Sequence, residues 1–132
     1  MVVDTSAVIA LIFREPEWHE LSRIAAGDPI LAISAISVHE ASVVTAGKKR
    51  DPAAVQLVDD LIRDLEIDVA PVDLASAHAA RAAYFRFGKG YHPAGLNLAD
   101  CFSYSLAKTR DEPLLFKGGD FLKTDIVPAW RP

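Results

Sequence analysis

Apolar residues along the chain fall into short strand-like runs separated by longer helical patterns. Val2-Val3 is a β-branched pair that stops at Asp4. Thr5 and Ser6 follow, and Ala7 to Phe13 is apolar throughout. This predicts a buried strand ending at Asp4 and a helix that starts at Thr5 or Ser6. Arg14-Glu15-Pro16 breaks the pattern, because proline restricts the residue before it and suits a helix start. A second helix is predicted over residues 17–26, with Gly27 as its C-terminal cap. Residues 29–33 read as a buried strand, and Ser34 opens a third helix that runs to about Lys48. Asp51-Pro52 starts a fourth helix, whose Val55, Val58, Leu61, Ile62 and Leu65 form an apolar side. Residues 67–72 read as a strand near a sheet edge, since Pro71 cannot donate to a ladder. Asp73 caps a fifth helix ending near Phe87, and Asn97 opens a sixth that runs to about Ala107. Residues 113–116 form a further buried strand, and residues 126–129 a short edge strand covered by Trp130. Strands alternating with helices in this way predict a single α/β domain over residues 1–132 with a mostly parallel sheet.

Four acids interrupt this pattern where the chemistry of a site would place them. In an open parallel sheet, ligands bind outside the carboxyl ends of the strands. Asp4 stands there between two apolar elements, which is costly unless the carboxylate is paired or binds a cation. The competing reading is a helix cap that accepts free N–H groups. Glu40 lies in the middle of a stripe of Ile36, Val43, Val44 and Gly47 on the third helix, which the spacing places inward. Asn97, Asp100, Ser103 and Tyr104 cluster on one side of the sixth helix, with Asp100 in the first turn, where a carboxylate is favoured. There the alternative is a box in which Asp100 bonds back to the cap residue. Lys117-Gly-Gly-Asp120 turns directly after a buried strand and offers Asp120 at the same edge, with Asp125 a second candidate. A pocket of like charges this close needs a cation. Oxygen-only ligands select Mg²⁺ or Mn²⁺, since no Cys or His stands at ligand spacing. Such an ion suits hydrolysis of a phosphodiester.

Composition narrows the setting. The one cysteine, Cys101, allows no intramolecular disulfide, and it reads as a small buried hydrophobe. No apolar stretch reaches the ~18 residues of a membrane span. No basic residue precedes the first apolar run, so a signal peptide is not expected. A soluble cytoplasmic protein is expected. The net charge of −4 argues against nucleic acid at first sight. Setting the four pocket acids aside leaves fourteen acids against fourteen bases, which removes that objection. Lys48-Lys49-Arg50 suits the C-terminal end of a helix dipole, with phosphate contact as the alternative. The loop Gly88–Gly95 carries Lys89, Tyr91 and His92 and reads as a surface loop or a nucleic-acid contact.

Val3-Asp-Thr-Ser6, His39-Glu40, Asn97-Leu-Ala-Asp100 and Phe116-Lys-Gly-Gly-Asp-Phe121 together resemble the PIN-domain ribonucleases, and more closely the VapC toxins of toxin–antitoxin pairs. The resemblance spans essentially the whole chain. It implies three α/β/α layers around a parallel sheet of order 3-2-1-4-5, and an endoribonuclease dependent on Mg²⁺, with Mn²⁺ a possible substitute. Asp4 and Asp100 would be the main metal ligands. Glu40 would complete the acidic cluster, Asp120 would be the more variable fourth acid, and Ser6 and Asn97 would be supporting polar residues. RNA substrate, a cognate VapB-like antitoxin and a homodimer are the implied partners.

Two other classes compete. A HAD-like phosphatase also begins with a strand and an Asp, but needs a second Asp where Ser6 stands. A non-catalytic, receiver-like metal-binding interaction module needs an acid after a further strand, where the second strand instead leads into Ser34.

Overall fold

The computed structural model describes residues 1–131. β1 (Val2–Val3) pairs in parallel with β2 (Ala32–Ser34) on one side and β4 (Leu114–Leu115) on the other, and β3 (Asp68–Ala70) pairs with β2. The order is β3-β2-β1-β4, which puts β1 inside the sheet and Pro71 just past an edge strand. The expected fifth strand shrinks to one parallel bridge between Leu114 and Pro128. Leu114 N–H donates to Val127 O, and Ala129 N–H donates to Leu114 O. Pro128, between them, has no N–H to extend the ladder.

Successive strand residues face opposite ways, and the two cores follow from that. Val3, Ile33 and Leu115 pack with α1 (Thr5–Ile12), α2 (Trp18–Gly27), α3 (Ala35–Lys49) and α4 (Gln56–Asp64). Val2, Ala32 and Leu114 pack with α5 (Leu74–Phe87) and α6 (Leu98–Arg110). Three layers result. A 3₁₀ turn, Pro52–Val55, precedes α4, and a second, Phe121–Lys123, follows β4.

The predicted elements are present, with local differences. Gly27 belongs to α2, and Asp28 is the extended cap residue. Left-handed caps fall instead on Arg50 after α3 and Asp111 after α6. Asp73 caps α5 through a box with Ser76. The inward face of α3 is Ser37, Ala41 and Thr45, and Val43 is 58% exposed. The apolar stripe misled because the small hydroxyl residues go inside. Ser37 reaches Ser103 of α6 at 3.0 Å between hydroxyls, and Thr5 Oγ1 donates to Ser37 O. Among the described residues, no helix is long and apolar enough to cross a membrane.

Candidate active site

Asp4 follows β1, and its N–H donates to Leu115 O, which locks it to the carboxyl edge of the sheet. Its side chain is 2% exposed. The carboxylate caps α1: Oδ2 accepts from Ser6 N–H at 2.9 Å and from the Ser6 hydroxyl at 2.6 Å. That occupies one oxygen. Oδ1 is buried with no hydrogen-bond partner, a costly state for a carboxylate oxygen unless something positive completes it. The two readings of Asp4 are therefore not alternatives, because one oxygen caps and the other is free. Ser6 Oγ also accepts the N–H of Lys117 at 3.0 Å, so one hydroxyl ties the first acid to the loop after β4.

Asp100 enters from α6. The box with Asn97 is present: Asp100 N–H donates to Asn97 Oδ1 at 2.9 Å, and Asn97 N–H donates to Asp100 Oδ2 at 2.8 Å. Burial nevertheless pushes the Asp100 carboxyl up to about 6, against the lowering effect of the Asn97 N–H, and the charges of Asp4, Glu40 and Asp120 add to the rise. The other three acids picked out in the sequence thus all lie close enough to act on Asp100 through space. Glu40 is half-buried on α3 and lines an open groove of about 500 Å³ with Ile36, Val43, Val44, Asn97 and Leu98. Asp120 is exposed and pairs with Lys123 at 3.1 Å.

Asp125 lies elsewhere. It accepts from the Tyr104 hydroxyl and pairs with Arg86 and Lys108. That bond and those two cations hold its carboxyl below the usual range. Tyr104 and Ser103 likewise turn to Asp125 and Ser37, so α6 contributes Asn97 and Asp100 alone from the predicted cluster. Cys101 is buried, and burial raises its thiol to about 11.

Among the described residues, no three acid, His or Cys side chains converge closely enough to grip an ion as they stand. Mutual repulsion spreads uncompensated carboxylates, and one oxygen each of Asp4 and Asp100 is turned to a helix cap. The donor set fits a hard divalent cation. Its donors are all oxygens, one is buried and unpartnered, and the surrounding charge is negative.

Sequence reasoning missed the ionic network beside these acids. Glu15 binds both Lys117 at 2.8 Å and Lys48 at 3.0 Å, and Lys117 also pairs with Glu17 at 3.0 Å. Lys117 stood in a quoted motif, but nothing in its spacing showed that its ammonium reaches the segment after α1.

An interior parallel strand ending in a buried acid, between two layers of helices, defines an α/β/α domain with an acidic patch at the carboxyl edge of its sheet. Comparison with known proteins defines it further. Residues 1–127 match the PIN domain family. A ribonuclease VapC of Mycolicibacterium smegmatis is 43% identical over 127 residues, covering 96% of this chain and 98% of that one. The crystal structure of VapC20 of Mycobacterium tuberculosis, a sarcin-ricin loop cleaving toxin, superposes with a TM-score of 0.78 at 18% identity, covering 99% and 98% of the two chains. A toxin–antitoxin complex from Klebsiella pneumoniae gives 0.70 at 19% identity, with 99% and 98% covered. The chain belongs to the PIN-domain family, on its VapC ribonuclease branch.

Proposed function

We propose that this chain is the toxin of a toxin–antitoxin pair, an endoribonuclease that hydrolyses RNA phosphodiester bonds with Mg²⁺ or Mn²⁺. The observation that carries the reading is the buried, unpartnered Oδ1 of Asp4, set within the charge of Asp100, Glu40 and Asp120. Asp4 and Asp100 would hold the ion, Glu40 would complete the set from α3, and Asp120 would lend charge from the rim. A divalent ion bound there supplies charge neutralisation at a phosphoryl oxygen and acidifies a water. The chain's own residues do the positioning. Ser6 fixes the rotamer of Asp4 through two hydrogen bonds and anchors the loop that carries Asp120. Asn97 fixes Asp100 through the helix box. Glu40 is half-buried and faces an open groove, from which it would complete the acidic set.

The relatives' names support RNA as substrate, the complex from Klebsiella pneumoniae supports an antitoxin partner, and the VapC names of the relatives favour one of VapB type. A homodimer is part of the same reading. Val43 and Leu98 flank the groove at Glu40 and are 58% and 65% exposed, an apolar face suited to a second copy. The phosphatase alternative loses support because Ser6, where a second acid is needed, spends its hydroxyl on Asp4.

The test is cleavage of a mixed panel of structured and single-stranded RNAs by antitoxin-free protein, with Mg²⁺ or Mn²⁺ and with chelator. Cleavage that needs the metal and falls at least ~100-fold in Asp4→Asn and Asp100→Asn is expected. Cleavage that survives chelator or both substitutions contradicts the reading.

A further inference from the structure

A site with four carboxylates repels the polyanion it is meant to cut, so attraction has to come from beside it. The chain provides cations there. From Asp4 a hydrogen-bonded path runs through Ser6 Oγ to the backbone of Lys117, whose ammonium lies on Glu15 and Glu17. The other oxygen of Glu15 holds Lys48. Lys48 Nζ lies 4.7 Å and Lys49 Nζ 5.4 Å from the centre of the Phe13 ring, and the guanidinium of Arg14 lies 5.2 Å from that of Trp18. Arg50 follows, as the left-handed cap of α3. Three acids, Glu15, Glu17 and Asp51, among five bases leave this ridge positive on a chain whose net charge is −4. Elsewhere Arg23, Arg63, Lys108 and Lys123 each answer a local carboxylate, while Arg81 and Lys89, which line a pocket with Asn97, are separate cations rather than part of a cluster. Among the described residues, Arg14, Lys49 and Arg50 make no ion pair with a carboxylate.

We propose that Lys117, Lys48, Lys49, Arg50 and Arg14 form a track that holds the phosphates of the RNA substrate on one side of the bond that is cut. The proposal rests on the ribonuclease reading above. Glu15 and Glu17 keep Lys117 and Lys48 extended and in place before RNA arrives, and a phosphate then takes over from the carboxylate. Lys49 and Arg14 rest on ring faces, an arrangement that leaves their charge available. The track touches backbone phosphate, so it adds affinity without reading sequence.

The experiment is fluorescence anisotropy of a labelled mixed-sequence single-stranded RNA 20-mer in EDTA, titrated over a range of KCl. Three proteins are compared: wild type, Lys48→Gln/Lys49→Gln/Arg50→Gln, and Arg23→Gln/Arg63→Gln/Lys108→Gln. The last changes net charge equally at other places, and thermal melting confirms that each is folded. Every phosphate of a single strand that the protein no longer neutralises lowers the slope of log affinity against log salt by ~0.7. The track variant is expected to show a slope smaller by about 2 and an affinity about tenfold weaker at low salt, while the control keeps the wild-type slope. Equal slopes in the two variants overturn the track. So does unchanged RNA affinity with loss of antitoxin binding, which would assign the ridge to the protein partner. Wild-type cleavage in Mn²⁺ without measurable binding in EDTA also overturns the track and spares the ribonuclease reading. Wild-type protein that neither binds nor cuts RNA removes that reading, and the track with it.

Discussion

Asp4 shows how one side chain serves fold and site together. Its Oδ2 caps α1, so a hydrogen bond fixes the carboxylate, and Oδ1 is left buried and free. Asp100 also has one oxygen in a helix-start hydrogen bond, from Asn97 N–H, and its burial raises the carboxyl. The sign of the resulting pH effect is definite. Asp100 ionises near 6 in the folded chain and near 3.8 in the unfolded one, so between those values the folded chain holds more proton. The contribution of Asp100 to the stability of the metal-free protein should fall as pH rises from about 4 to about 6, then level off, while carboxylates held low by cations or hydrogen bonds, Asp125 among them, contribute in the opposite sense. Asp100→Asn removes that loss. At pH 7.5 in chelator it should be more stable than wild type by on the order of 1–3 kcal/mol, and below pH 4 it should show no gain. Chemical denaturation at both pH values measures this, and a variant no more stable at pH 7.5 contradicts it. At this scale the acids were legible because strand ends and helix starts flag them. Ser37 and Thr45 were not, since hydroxyl residues read as surface until their buried surroundings are seen, and Ser103, grouped with the acids in the sequence, turns to Ser37 instead.

Elements carry the acids to one edge. β1 lies inside the sheet because β2 and β4 return beside it in parallel, and the loops after β1 and β4 meet through Ser6 and Lys117. The buried strands at Val2-Val3 and Leu114-Leu115 were readable, as was the edge position of β3 beside Pro71. The fifth strand was overread, since it amounts to one bridge at Pro128. The loop after α5 is more structured than its glycines suggested. Gly88 pairs with Leu96, Tyr84 donates to Lys89 O, and His92 packs edge-on to Phe87. A Cβ on Gly88 would run into the Tyr84 carbonyl and ring. Gly88→Ala should therefore cost about 1–3 kcal/mol in denaturant unfolding, a larger loss than a substitution of open surface brings. A cost below about 0.5 kcal/mol would show that the turn relaxes freely.

For the molecule as a whole, charge is distributed by function. The other acids of the patch raise the Asp100 carboxyl, and the cations of Lys117 and the α3 terminus connect to the patch through Ser6 and Glu15. Net charge alone concealed both, because −4 averages a negative pocket with a positive ridge. The resemblance in the four motifs identified the family, and the fold and relatives agree with it. Spacing could not supply the through-space link between Asp4, Glu40, Asp100 and Asp120, which come from four separate stretches of chain. The measurement that tests that link most directly is calorimetric titration of Mn²⁺ into the protein without RNA, for wild type and Asp4→Asn. Wild type should bind Mn²⁺, and the variant, which loses the charge behind Oδ1, should bind at least ~10-fold more weakly. Equal binding by the two proteins, or none by wild type, would contradict a metal centre built on Asp4.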